Sequence, residues 1–447
     1  MNGLPSPGRT GTGATGPLAG ARTALALLLI INLFNYIDRQ VLAAVEPEIR
    51  QELFPDDLER GKDWTGWLST AFLLSYMIIS PVFGFLADRT SRWRLVGIGV
   101  ILWSLASGAS GLNWGVNLTA AFWILLATRC FVGVGEAAYG PVAPAMISDL
   151  FPLQVRGKVM AWFYFAIPVG SALGYTFGDQ VTKIMGSWRW PFFLVVPPGL
   201  LLGLLCFMMT DPRRGQTEAV REPTQQHFKL VDYRALVRIP SYVLDTLGMT
   251  AMTFAMGGIA YWMPAYLKDY GAMNFGPFSP KTFFGGLTAL AGMLGTVAGG
   301  ITGDWLRPRF SGSYFLVSGT AMLAGFPLVL LFLITPFPLA WLFMFLAVFC
   351  LFFNTGPTNT ILANVTHPAV RASAFALNIF IIHLLGDAIS PPLIGMIYRR
   401  ANLKIGFAVV SLMMLVGGLF WILGARYLER DTLRAPQSLD SSEPTPA

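Results

Sequence analysis

Five ionisable residues, Asp38, Arg39, Arg129, Glu136 and Asp387, stand inside stretches that are otherwise largely apolar. Taking a charge out of water is costly, so each must face a cavity or a partner. Arg129, Gly133, Glu136 and Gly140 are spaced i, i+4, i+7 and i+11, which places them on one face of a helix. Seven residues rise ~10 Å, so Arg129 and Glu136 form no tight pair on their own helix. Arg129 could bridge Asp38 and Glu136, or exchange one for the other. A carboxylate that loses its Arg partner in low-dielectric surroundings takes up a proton. Asp38 and Glu136 are therefore the candidate proton sites, with Arg129 and Arg39 as switching counter-ions. The competing reading is a static buried salt bridge that fixes helix packing.

His383 and Asp387 are four apart on one helix face and could relay a proton, bind a polar head group, or simply satisfy each other. Arg39 is the candidate anchor for an anionic head group, with Asn35, Tyr36 and Asn359 as neutral helpers. Tyr76, Trp262 and Phe380 are candidates for an apolar lining, although aromatics in such helices more often serve packing. An amphiphile needs both surfaces, a cation for phosphate or carboxylate and an apolar pocket for its chain. The other two histidines, His227 and His367, fall at loops, so no metal site is expected. The absence of a P-loop, an HExxH or a Gly-x-Ser-x-Gly motif argues against an enzyme and against direct ATP driving. No cofactor is expected.

The elements that carry these residues follow from composition. Of 447 residues, 54% are hydrophobic and 12% charged, against about 25% charged in an average soluble chain. That excludes one or two large soluble domains. The apolar runs are long and continuous, as in LALLLIINLF and LLLGLLCFMM, whereas a barrel would alternate over about ten residues. The expected fold is an all-α polytopic membrane protein. Twelve spans are placed at about 22–46, 64–87, 93–112, 118–147, 157–179, 188–209, 241–267, 282–303, 313–334, 338–363, 372–397 and 405–427. The net charge of +7 lies in short clusters between these spans. It is read as topology and not as a nucleic-acid surface. Cys130, Cys206 and Cys350 each sit in an apolar run and read as buried free thiols.

The long polar connection at 210–240 divides the spans six and six. Residues 1–21 and 428–447 are read as disordered tails, and the bundles as 22–209 and 241–427. With an even number of spans, both termini share one side, and the Lys/Arg balance makes that side cytoplasmic. The halves also repeat. Gly84 and Asp88 recur as Gly300 and Asp304, and Gly140-Pro141 recurs as Gly356-Pro357, each 216 residues on. Val155-Arg156 recurs as Val370-Arg371. Parallel repeats with a central site between them describe one architecture of secondary transporters.

After the second span comes Gly84-Phe-Leu-Ala-Asp88-Arg89-Thr-Ser-Arg92-Trp-Arg94, echoed by Gly300-Ile-Thr-Gly-Asp304-Trp-Leu-Arg307. This resembles the signature loop of the major facilitator superfamily, with Ser91 and Trp93 departing from the usual Gly and basic residue. The resemblance implies two six-helix repeats around a central cavity. It also implies a cytoplasmic gate at Gly84, Asp88, Arg89, Arg92, Asp304, Arg156 and Arg371; the plainer reading is that the arginines only set topology. Four further stretches resemble the spinster branch. They are Asn35-Tyr-Ile-Asp-Arg39, Arg129-Cys-Phe-Val-Gly-Val-Gly-Glu136, Gly257-Gly-Ile-Ala-Tyr-Trp-Met-Pro264 and His383-Leu-Leu-Gly-Asp-Ala-Ile-Ser-Pro391. The branch moves lysophospholipids, sphingosine-1-phosphate and related amphiphiles. The resemblance thus implies a proton-coupled amphiphile carrier working by alternating access; a carrier of small organic anions such as carboxylates is the alternative. The expected partners are the lipid bilayer, an amphipathic or lipid substrate and protons, and no nucleic acid. The expected setting is a bacterial cytoplasmic membrane, and the expected state a monomer.

Glycine stripes at 170, 174 and 178 and at 295, 299 and 303 permit close helix contact. By resemblance, these helices face each other across the two halves. Ser80, Gly84 and Asp88 are expected opposite Gly386, Ser390 and Ile394. A bulky residue at Gly299 is expected to favour one access state.

Overall fold

The computed structural model describes residues 20–435 except 57, 114, 216, 218–232 and 273–279. The terminal segments 1–19 and 436–447 and most of the 210–240 connection lie outside the described residues. Among the described residues there are no strands. The twelve membrane segments are α1 (Ala21–Leu53), α2 (Leu58–Ala87), α3 (Arg92–Ala109), α4 (Leu118–Leu150), α5 (Arg156–Met185), α6 (Trp190–Phe207), α7 (Pro240–Asp269), α8 (Pro280–Leu306), α9 (Ser313–Ile334), α10 (Ala340–Val365), α11 (Pro368–Arg400) and α12 (Leu403–Gly424). Eleven contain helix long and apolar enough to cross a membrane. The twelfth, α3, is 18 residues long and carries Arg92 and Arg94 in its first turn. The expected tail at 428 instead begins as a short helix, Leu428–Arg434, with Leu428 and Asp431 buried.

Polar residues set the helix ends. The Asn117 side chain accepts from Ala120 N at 2.8 Å to start α4, and Asn402 accepts from Ile405 N at 3.0 Å to start α12. Each side chain satisfies one of the otherwise unpaired first-turn amides. Two segments break at corresponding places. α4 turns at Ala138–Pro141, and α10 at Asn354, just before Gly356-Pro357. α11 breaks differently. Ala388 N bonds His383 O at 3.1 Å, making His383–Asp387 a single π-helical turn. Pro391 and Pro392 follow immediately, and neither can donate a backbone hydrogen bond.

The fifth and eighth helices pack on each other across the halves, as expected, but the glycine stripes themselves bind helices within each half. A Cβ at Gly170 would meet Leu33 O of α1 at 2.6 Å, and Gly174 and Gly178 also lie on α1. A Cβ at Gly295 would meet Phe349 O of α10 at 2.5 Å, Gly299 rests on Phe353, and Gly303 rests on Tyr314. The pairing between halves uses other positions. A Cβ at Gly84 would stand 2.5 Å from Ala376 Cβ and 2.8 Å from Ala372 O, and Gly300 lies on Ala161 and Gly157. Gly386 packs on Thr253, while Ser390 and Ile394 pack on Gly258 of α7. At the end of α2, Gly84 and Asp88 meet Ala372, Ser373 and Ala376 in the first turns of α11 instead.

Candidate functional site

Between the halves lies a cavity of about 190 Å³. Its walls include Asn35, Tyr36, Arg39, Tyr76, Glu136, Asn359 and His383 from the sequence-derived set, joined by Tyr139, Tyr164 and Asn378. Arg39 is its central cation. Its Nε donates to Glu136 Oε2 at 2.5 Å, and its guanidinium lies about 5 Å from the ring centroids of Tyr36, Phe72 and Tyr76. Electron-rich ring faces attract a desolvated cation, so the guanidinium is held from four sides. Glu136 is 1% exposed and retains an oxygen, Oε1, without a hydrogen-bond partner.

The expected wiring holds in part. Glu136 pairs with Arg39, one of its two expected counter-ions, and not with Arg129, which does not bridge Asp38 and Glu136. Arg129 instead donates through a terminal nitrogen to Ser110 Oγ at 2.7 Å and lies 5.3 Å from the Phe192 ring centroid. Asp38 accepts from Ser107 Oγ at 2.5 Å. Among the described residues, Asp38 and Arg129 make no direct ion pair, although both are at most 2% exposed. A free Asp38 oxygen and the Arg129 Nε have no hydrogen-bond partner. The N-terminal half therefore holds two charged levels, one facing the cavity and one packed among α1, α3 and α4.

On the other half, His383 Nδ1 lies 3.1 Å from Asp387 Oδ2. The π-helical turn carries both residues, and the His383 ring stands edge-on to Tyr76, 5.9 Å between centroids. Tyr76 thus touches the Arg39 box on one side and the His383–Asp387 pair on the other. Asn359 accepts from Tyr164 OH at 2.7 Å, a second link between halves. Trp262 and Phe380 are not among the cavity walls. The Trp262 indole donates to Pro391 O at 2.9 Å and packs α7 against α11. Tyr164 and Asn378 went unread from sequence because neither breaks an apolar pattern by charge.

The face that carries both ends of the described chain, the terminal face, is sealed by paired contacts between halves. Asp88, just past α2, accepts from Ala372 N at 3.2 Å and Ser373 N at 2.8 Å. Asp304, at the end of α8, accepts from Lys158 N at 2.7 Å. In both cases a carboxylate from one half meets the first-turn amides of a helix from the other, where the helix dipole favours a negative charge. Arg371 donates to Asp149 Oδ1 at 2.7 Å, Arg92 also pairs with Asp149, and Arg156 donates to Asn364 Oδ1 at 2.7 Å. The linker joins this seam, with Gly215 N on Asp149 Oδ1 at 3.0 Å and a terminal Arg214 nitrogen on Ala87 O at 3.0 Å. Burial pushes the Asp88 carboxyl up to about 6, against the pull of Arg92, Ser373 N–H and Arg214. Of the expected gate residues, Arg89 alone lies apart, its guanidinium 3.4 Å from the Phe85 ring centroid on its own helix.

The major facilitator superfamily profile matches residues 28–390. Human protein spinster homolog 1 is 35% identical over 449 residues, covering 94% of this chain and 83% of the human one. The mouse sphingosine-1-phosphate transporter SPNS2 is 33% identical over 449 residues, covering 94% and 80%. This chain belongs to the spinster branch of the major facilitator superfamily. Among solved structures, an inward-facing bacterial homolog of the human lysosomal transporter spinster is 20% identical. It aligns with a TM-score of 0.57 over 96% of this chain and 99% of that one. The proton:xylose symporter XylE aligns with a TM-score of 0.72 at 16% identity, over 90% and 95%.

A superfamily member of this kind is a membrane transporter and not an enzyme. Its two six-helix halves meet around the Arg39 cavity, and the loop that carries the superfamily signature, Gly84 to Arg92, lies in the sealed seam. Asp149 is the seam residue that sequence reading missed. The fourth span was ended at 147, which left Asp149 looking like an ordinary loop acid, although it is 0% exposed. A signal was available. Asp149 stands seven residues before Arg156, as Asn364 stands seven before Arg371.

Proposed function

We propose that this chain is a proton-coupled transporter of amphipathic anions of the lysophospholipid or sphingoid-phosphate type, working by alternating access. The observation that carries the reading is the Arg39–Glu136 pair inside its aromatic box. Arg39 is the one Lys or Arg among the described cavity walls, and it can serve either Glu136 or an incoming anion. A proton on Glu136 releases Arg39 to a phosphate or carboxylate. Proton and anion then stabilise each other in the cavity and travel in the same direction, by the reciprocity of linked binding.

The remaining roles follow from position. Asp38 and Arg129 form the deeper level, which takes or returns a proton as helix packing changes. Asn35, Tyr36, Tyr76 and Asn359 orient the head group, with His383 and Asp387 on the opposite wall. The seam at Asp88, Asp304, Arg156 and Arg371 acts as the gate. Because the sealing contacts lie on the terminal face, the cavity is reached from the other side, the outward-facing state if the termini are cytoplasmic. We place the chain, as a monomer, in a bacterial cytoplasmic membrane with bundles at 22–209 and 241–427.

The cavity volume of about 190 Å³ suits a head group alone, so the chain of an amphiphile must extend along the open path between halves. The same volume favours the second reading, a proton-coupled carrier of small organic anions. Reconstitution into proteoliposomes with an imposed pH gradient separates the two. A lysophospholipid, a sphingoid phosphate and a small carboxylate are compared side by side. Gradient-driven uptake of either lipid is expected, and uptake of the carboxylate alone would overturn the lipid reading.

A further inference from the structure

Asp245, in the second turn of α7, is 0% exposed. Among the described residues it is the buried carboxyl group with neither side-chain oxygen hydrogen-bonded. Asp38 and Glu136 each keep one oxygen paired, while Asp149, Asp88 and Asp431 accept from arginines or backbone amides. The donor beside Asp245 is the neutral Trp421 indole of α12, which bonds the Asp245 backbone O at 3.4 Å. Gly248, three residues on, lies against the same ring.

The charged groups on the elements packed against α7 are engaged elsewhere. Arg371 pairs with Asp149, His383 with Asp387, and Arg430 with Asp431. Asp304 accepts from Lys158 N, and Arg307 donates to Leu153 O. Arg426 lies over the Tyr427 ring, and Lys404, Arg399 and Arg400 stand at the far ends of α12 and α11. An ionised carboxylate at Asp245 would have neither water nor a counter-charge, so the acid form is the one that fits.

The turns around Asp245 are wired to both the seam and the transport cavity. Ser241 N donates to Asp431 Oδ2 at 3.0 Å, Tyr242 OH to Ala374 O at 2.8 Å, and Asn378 Nδ2 to Thr246 Oγ1 at 3.1 Å. Ala374 directly follows Ala372 and Ser373, whose amides hold Asp88, and Asn378 is a cavity wall. Ser241 stands four residues before Asp245, on the same helix face and one turn nearer the terminal face. Its Oγ is likewise buried without a hydrogen-bond partner.

We propose that Asp245 is a proton-binding site of the C-terminal half, filled while the terminal face is sealed and emptied when it opens. Opening draws the first turns of α11 off Asp88. Through Ala374 and Asn378 it takes the start of α7 along, away from Trp421. Water then reaches the carboxyl, its O–H bond breaks, and the electron pair stays on Asp245 as the carboxylate. The proton passes by the Ser241 hydroxyl to water at the terminal face. The site rests on the proposed opening of the seam and not on the proton at Glu136.

The test uses the full chain in nanodiscs. Infrared spectra with isotope-labelled aspartate compare wild type with Asp245→Asn and Asp245→Leu, neither of which places a charge in the apolar site. At about pH 8, roughly four units above the usual aspartate value, wild type should show a protonated carboxyl band that shifts with the label. Both variants should lose it, and Glu136→Gln should keep it. A wild-type spectrum matching those of the variants would overturn the proposal. Release is read by maleimide labelling of a cysteine at the seam, relative to an always-exposed control cysteine. From about pH 7 to 8, release of one proton raises wild-type labelling by up to about tenfold, and the variants should lose that rise. A flat wild-type profile, or a rise that survives in both variants, would overturn release on opening. A seam cysteine that never labels would overturn the opening itself, and with it alternating access, while the infrared band still decides the site.

Discussion

Glu136 accepts a 2.5 Å hydrogen bond from Nε of Arg39, a residue of α1 held among three aromatic rings. An acid, a base and a π-surface thus share one position, and whatever neutralises the acid changes what the base can hold. In Glu136→Gln the proton site is removed while Arg39 stays in place. Binding of an anionic amphiphile should persist and lose its pH dependence, and uphill accumulation should fall at least about tenfold, one factor of ten being about 1.4 kcal/mol. Binding isotherms at several pH values, alongside gradient-driven uptake, separate the two effects. Wild-type accumulation by this variant would remove Glu136 from the proton path.

Asp149 is shared by Arg92 and Arg371, and all three are at most 2% exposed. Removing one partner of a buried ionic cluster typically costs about 3–5 kcal/mol. Asp149→Asn should therefore shift the equilibrium away from the sealed terminal face. Cysteines placed beside the seam should react faster with a membrane-impermeant maleimide applied from that face. An unchanged rate would show that the cluster serves folding alone.

The Asp88 carboxyl, pushed up to about 6 by burial, binds its proton more tightly in the sealed seam than in water, where about 3.9 is usual. The sealed form therefore gains relative stability as pH falls from about 6 towards 4, and loses that increment as pH rises through 6. Maleimide labelling at the terminal face, taken relative to an always-exposed control cysteine because the thiolate fraction itself falls with pH, should decrease as pH falls over this interval. In Asp88→Asn the step between pH 6 and 4 should disappear, leaving Arg92, Arg214 and Asp149 around a neutral amide. A pH step that survives the substitution would assign it elsewhere.

Two glycines should respond differently to added bulk. A side chain at Gly84 meets Ala376 and Ala372 across the seam, whereas one at Gly299 meets Phe353 inside its own half. Gly84→Val should bias the protein towards an open terminal face with modest loss of thermal stability. Gly299→Leu should destabilise the C-terminal half by about 1–3 kcal/mol, as overpacking does, without a sidedness change in accessibility. The reverse pattern would restore Gly299 as a rocking contact.

Charge in an apolar run was the most legible signal. It located α1 and α4, and it brought Arg39, Asn35, Tyr36 and Glu136 to one cavity wall. The span order and the repeat, which matches Gly84 and Asp88 to Gly300 and Asp304 and Arg156 to Arg371, could likewise be read from spacing, while a gate at these residues is implied only by the family resemblance. Pairing could not. Periodicity says which residues share a face, but not which neighbour the face meets, so Arg129 was read as a bridge between Asp38 and Glu136, and the glycine stripes of α5 and α8 as contacts between the halves. Tyr164 and Asn378 carry no charge to betray them. The π-helical turn at His383 follows from no local periodicity.

The seam joins the halves at two corresponding places with different acceptors. Arg371 and Arg92 converge on a carboxylate, Asp149, while the position that matches Asp149 in the other half holds the amide of Asn364, which accepts from Arg156. Only a carboxylate can lose its charge to a proton or to an amide substitution. The Asp149 side of the closure is therefore the side that answers to charge. Duplication supplied a two-sided door, and the exchange of an acid for an amide made its two sides chemically unlike.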